Sequence, residues 1–285
     1  MTQGVLPMRL LPRLGPLSLW LGVLFCGVLV VAALWLWIEP IEGANRGSLL
    51  RRFRAPGVDG YLLGSDQLGR SVLLRAASGV PWSIGIAAVA TAISLGLGTL
   101  LGLVGAMSGG WPRAVVRNLV DTVIAFPSLV IAVVVIALVG RGFWPTALVL
   151  GLATWPIVAR VVFAEAQSVL KRDYVTAAEF LGVSRVAILF AHVLPALRPT
   201  LLVMGAFTFA DMLIIESALS FLGLGAPISV PTWGNMLADS RQFLANAPWM
   251  MLVPGACIAF AAVALNLLGD GVAQAARRRA REIEL

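Results

Sequence analysis

Residues 171–195 read KRDYVTAAEFLGVSRVAILFAHVLP, and the rest of the chain is interpreted outward from them. The long runs on either side are continuously apolar, whereas this stretch is amphipathic. Set on a helix, Val175, Ala178, Leu181 and Gly182 share one side, while Thr176, Glu179 and Arg185 lie nearer the other. Gly182 offers a bend, and a second helical run over 184–192 follows until Leu194-Pro195 ends it. Two short helices joined at a glycine, held between two membrane spans, are shaped to be gripped by something outside the membrane. The plainer reading is a basic loop that only joins two spans.

Composition places those flanking runs in a bilayer. Of 285 residues 59% are hydrophobic and 12% charged, and mean hydropathy is +0.93, which excludes a soluble globular domain. Repeated stretches of about 20 apolar residues predict an all-α polytopic membrane protein. A net charge of +7 would suggest nucleic acid in a soluble chain. Here the basic residues sit in loops and at span ends, so lipids are the expected surroundings and no nucleic-acid partner is expected. Cys26 and Cys257 lie in apolar runs and indicate neither a disulfide framework nor a metal site.

About six spans are expected, over 17–38, 82–107, 119–139, 144–163, 199–219 and 247–268, with both termini cytoplasmic. Residues 1–16 form an inner N-terminus and 17–38 an uncleaved first span. Its apolar run is too long, and its Leu34-Trp35-Leu36-Trp37 too bulky, for a signal peptide. Trp35 and Trp37 are expected near the outer interface. Residues 39–79 make an outer loop, 80–271 a five-helix core with an inner loop at 171–198 and an outer segment at 217–246, and 272–285 a basic inner tail. Arg46, Arg51, Arg52 and Arg54 then lie outside, against the positive-inside rule, although the larger share of the 21 basic residues falls inside.

Within the spans, Gly98-x-x-x-Gly102 and Gly105-x-x-x-Gly109 allow close helix approach, expected inside one subunit. Pro127 lies inside the third span. Arg160 and Glu165, at an inner span end, are expected to pair with each other or to reach headgroups. Asp211 and Glu216 are the acids most clearly within an apolar run, where charge is costly and marks a cavity or a partner. Five positions apart on a helix, they diverge by about 140°. One faces the pathway and the other bonds a neighbouring helix, with Glu216 expected to be the one exposed to water.

Four patterns carry a resemblance. Ala177-Ala178, Gly182 and His192-Val193-Leu194-Pro195 resemble the EAA loop of ABC-importer membrane subunits, with Thr176 where a glutamate usually opens the motif. Leu63-Gly64-Ser65-Asp66-Gln67-Leu68-Gly69-Arg70 is similar to the LGTDxxGRD box of the dipeptide, oligopeptide, nickel and opine permeases, with Ser71 replacing an aspartate. Without the family, Ser65 or Asp66 would simply cap a short helix running through Leu74. Ser217-Ala218-Leu219-Ser220-Phe221-Leu222-Gly223-Leu224-Gly225 with Trp233-Gly234-Asn235-Met236 resembles that family's outer re-entrant scoop. Asn266-Leu267-Leu268-Gly269-Asp270 matches the close of its last span. The resemblance covers about Tyr61 to Gly271.

The resemblance implies a type I importer permease in a bacterial plasma (inner) membrane, working by alternating access. It implies a second homologous permease, two cytoplasmic ATPase subunits that bind ATP and Mg, and an extracytoplasmic solute-binding protein. Tyr174, Ala177, Ala178, Glu179, Gly182, Arg185, His192 and Pro195 would couple to the ATPases, and Asp211 and Glu216 would touch the pathway. Peptides, nickel, metal–opine complexes and other small solutes are all carried in that family.

The inventory of chemistry is empty beside this. No G-x-x-x-x-G-K-[ST] phosphate loop, H-E-x-x-H pair or G-x-S-x-G elbow occurs, and His192 is the single histidine. No catalytic residue, metal site or cofactor is therefore expected in this chain. The competing class is a proton-coupled secondary transporter with Asp121, Asp211 and Glu216 as relay groups.

Overall fold

A computed structural model describes residues 15–38 and 43–283, so the expectations for residues 1–14, 39–42 and 284–285 lie outside the described residues. Among the described residues the regular structure is helical: α1 (Gly15–Ile38), α2 (Val72–Met107), α3 (Gly110–Ile124), α4 (Ser128–Val139), α5 (Phe143–Leu170), α6 (Asp173–Phe180), α7 (Arg185–Ile188), α8 (Leu194–Phe221), α9 (Trp233–Ser240) and α10 (Trp249–Ile283). Four of the helical runs are long and apolar enough to cross a membrane, or five if α3 and α4 form one bent crossing. The apolar helix α1 packs along α10, where Gly22 lets it close on the Leu268 backbone. Its Trp35 is exposed; the Trp37 side chain lies outside the described residues.

The central pair is α2 and α5. A Cβ at Gly98 would stand 2.5 Å from Val158 Cβ, and one at Gly102 2.7 Å from the Ala159 carbonyl oxygen. Gly151 makes the reciprocal approach, toward Ile93 and the Ala90 carbonyl. Lipid tails are as apolar as leucine, so this pairing rests on close van der Waals fit. The small-residue motif thus serves packing within one chain. The second motif divides: Gly105 abuts Val116 and Phe163, whereas Gly109 meets nothing within 4 Å and precedes α3.

Several boundaries depart from expectation. The helix α2 begins ten positions before residue 82 because Ser71, not Ser65 or Asp66, caps it, accepting the Leu74 N–H at 3.4 Å. At 36 residues it is about 54 Å long, so its two ends lie beyond the hydrocarbon on opposite sides. The single third span is instead two helices bent by 83° at 125–127. Pro127 supplies no N–H to continue the ladder and disfavours helix in the residue before it. The helix α5 runs past residue 163 to Leu170, and α10 passes through Gly269 and Gly271 to Ile283.

Candidate coupling and translocation site

The segment after α5 turns sharply. The α6 helix ends at Phe180, Gly182 adopts φ +81°, and Ser184 caps α7 by accepting the Ala187 N–H at 3.3 Å. A Cβ at Gly182 would meet nothing within 4 Å, so the glycine is required by its left-handed backbone and not by crowding. Pro195 does not end the helix. A π-turn over Leu189–Val193 leads directly into α8, with Pro195 in its first turn. Widening the ladder to five-residue spacing absorbs the proline that would otherwise break it.

Two unlike sides result. Val175, Ile188 and Val193 are buried against Val162, Ala166 and Val169 of α5 and Leu103 of α2. Outward stand Phe180 (88% exposed), Leu181 (84%), Val186 and Phe190. Leu181 and Gly182 therefore leave the face predicted for them, because the helix stops one residue too early to carry them inward. Ala178 is half-buried; Ala177, Glu179 and Thr176 are exposed. Thr176 bonds the Arg172 carbonyl at 3.3 Å.

The carbonyls at the C-terminal end of α2 gather donors from this segment, from α5 and from α3. Arg185 Nη1 donates to Met107 O at 3.4 Å, Gln167 Nε2 to Ala106 O at 2.8 Å, and Arg113 Nε to Ser108 O at 2.9 Å. Cationic groups at a helix C-terminus satisfy orphan carbonyls and oppose the helix dipole. Glu179 lines the small cleft beside them. The Tyr174 and His192 rings pack with centroids 5.7 Å apart, closing α6 onto the π-turn. Gln167 escaped the sequence reading; only its proximity to a span end could have flagged it.

The two intramembrane acids exchange places. Glu216 is 0% exposed, bonded by Ser220 Oγ at 2.7 Å and Ser217 Oγ at 3.4 Å from its own helix, with buried Ser83 of α2 beside it. Its expected exposure to water is thus overturned: the serine hydroxyls enclose it against α2. Asp211 is the exposed one, on the α8 stripe that also presents Phe207, Ile214 and Phe221. Arg160 pairs with Asp121 of α3 at 2.5 Å and not with Glu165, which ties the bent pair to α5.

At the far end of α2 the 63–70 box is a clamp. Buried Asp66 accepts from Arg70 Nε at 2.6 Å, Arg75 Nη1 at 2.8 Å, and the Leu68 and Arg70 N–H groups. Arg75 reaches on to Asp239 of α9 at 3.1 Å, and Trp249 Nε1 donates to Ser65 O. Trp233 donates from Nε1 to Ala76 O at 2.9 Å, and Asn235 Nδ2 spans the Pro227 and Val230 carbonyls. Gly234 lets α9 lie against Ser217. The Trp-Gly-Asn-Met run therefore fastens the irregular segment after α8 onto α2 and α8.

Comparison with known proteins agrees with this arrangement. Residues 94–282 match the family described as "Binding-protein-dependent transport system inner membrane component". The chain is 34% identical over 259 residues to the di/tripeptide transport system permease protein DppC of Pseudomonas aeruginosa, covering 89% of this chain and 86% of that protein. It is 32% identical over 224 residues to the dipeptide transport system permease protein DppC of Alkalihalophilus pseudofirmus, covering 79% and 73%. Such a family implies ATPase and solute-binding partners. With its several apolar helices, this chain belongs to the binding-protein-dependent inner membrane components, as a permease subunit of an ABC importer.

Proposed function

We propose that this permease carries peptides, and that 171–195 is the element through which two cytoplasmic ATPase subunits drive it. The observation that carries the reading is the exposed Phe180-Leu181-Val186 edge on a segment whose other side is buried against α5 and bonded to α2. Exposed apolar side chains on an otherwise anchored turn suit a protein cleft. The cargo follows from the names of the relatives, di/tripeptide and dipeptide permeases.

In this mechanism a second homologous permease completes the pathway, and a solute-binding protein delivers peptide from outside. ATP and Mg are bound by the ATPases. Their closure displaces α6 and α7, and the displacement travels along two connections. One is the unbroken π-turn into α8; the other is the Arg185 bond to the end of α2. Asp211 lies on the pathway face of α8, since a carboxylate in an apolar span faces water or a partner group and not lipid. Glu216 holds α8 to α2 from within.

The test is co-purification from mild detergent. Wild type is expected to retain an ATPase, and Phe180→Asp and Gly182→Pro to lose it while eluting as folded protein. Proline cannot reach the φ of +81° at position 182. An ATPase that stays bound to both variants would overturn this assignment of the segment.

A further inference from the structure

The end of the molecule opposite the coupling segment carries a charge that the fold leaves unused. Arg46, Arg51, Arg52, Arg141 and Arg241 are exposed there, and none forms an ion pair among the described residues. The acids described at that end are already committed: Asp59 to Arg54, and Asp66 and Asp239 to Arg70 and Arg75. Resting on the orientation proposed above, this basic surface lies outside, where the positive-inside rule disfavours it.

Within it, one turn is presented rigidly. The 3-10 turn Leu49–Arg51 displays Leu50 at 89% exposure and Leu49 at 68%, between Arg46 and Arg52. Beneath, the backbone is pinned at successive points. Ser65 Oγ donates to Arg51 O at 2.6 Å and accepts the Arg54 N–H at 2.8 Å, and the Phe53 N–H bonds Asp66 O. The Phe53 ring packs on Phe243 with centroids 5.0 Å apart. Gly47 and Gly69 allow the strand-like arms to cross with almost no gap. Two leucines held outward on a clamped turn have little conformational entropy left to lose on binding.

We infer that the Leu49-Leu50 turn and its flanking arginines are the recognition surface for the extracytoplasmic solute-binding protein, through an apolar patch with an acidic rim on that protein. Among the described residues the pairing of these acids leaves the arginines as the exposed charge, so opposite charge on the partner steers encounter over a Debye length. The leucines then supply the dry contact at the centre, and the arginines supply on-rate and register.

The experiment uses the complete transporter in phosphatidylcholine nanodiscs, with the binding protein that raises its ATP turnover as the probe. Leu50→Asp and the double variant Arg51→Glu/Arg52→Glu are expected to fold and to keep basal turnover, because these side chains are exposed. Half-maximal stimulation by the binding protein is expected to need about tenfold more of it for the double variant at low ionic strength. That difference is expected to shrink at high salt, whereas the Leu50→Asp defect persists. Stimulation curves that superimpose on wild type would overturn the inference. So would a defect appearing only in nanodiscs containing anionic lipid, which would assign the arginines to headgroups. A wild-type complex that no binding protein stimulates would instead remove the importer reading, and this inference with it.

Discussion

Asp66 and Arg75 are both buried at the N-terminal end of α2, with Asp66 Oδ2 2.8 Å from Arg75 Nη1. The same arginine continues to Asp239 at 3.1 Å, so one guanidinium joins the 63–70 loop, the start of α2 and the last turn of α9. Removing one member of a buried charge pair strands the other, at a cost of about 3–5 kcal/mol. Asp66→Ala is expected to lower the thermal unfolding midpoint markedly in detergent. An unchanged midpoint would mean that the clamp does not stabilise the fold.

Arg185 touches the coupling segment's anchor and not its exposed edge. Arg185→Ala is therefore expected to keep the ATPase bound while substrate-dependent transport in proteoliposomes falls, on the order of tenfold for a lost positioning contact. Phe180→Asp should lose the ATPase itself. If both variants lose association alike, Arg185 belongs to the docking face.

The α2–α5 seam predicts a steric effect independent of any ATPase. Gly98→Val would place methyl groups where Val158 and the Trp155 carbonyl already stand. Overpacking of this kind costs roughly 1–3 kcal/mol. Gly109→Val, at an open position, is expected to be far milder. Comparing the two unfolding curves checks the seam directly, and equal loss at both sites would contradict it.

The exchange of roles between the acids is open to labelling. In a background with Cys26→Ser and Cys257→Ser, Asp211→Cys is expected to react with a small water-soluble thiol reagent in the assembled transporter. Glu216→Cys, at a fully buried position beside Ser217 and Ser220, is expected to resist it. Rapid labelling at 216 and none at 211 would reverse the assignment of the pathway face.

Much of this protein was legible in its residues because membranes enforce long apolar runs and literal motifs mark irregular backbone. The amphipathic 171–195 stretch, its hinge at Gly182, and the Trp233–Met236 run were each locatable before any contact was known. What periodicity misjudged was local. It placed Leu181 inward by extending a helix that stops at Phe180. It ended a helix at Pro195 that a π-turn carries through, and it drew one straight span across Pro127. Those outcomes depend on how the backbone ladder adapts around a glycine or a proline, which residue type alone does not specify.

By itself the sequence determined the membrane class, the family and the position of the amphipathic 171–195 stretch, since hydropathy and turn chemistry are properties of short stretches. Only the tertiary structure decided that Glu216 is enclosed and Asp211 exposed, that Arg75 completes the Asp66 clamp, and that Arg113, Gln167 and Arg185 converge on the end of α2. The reason is physical: whether a charged group is satisfied depends on donors brought from other helices, 164 positions away in the case of Arg75 and Asp239, and spacing along one helix carries no record of them.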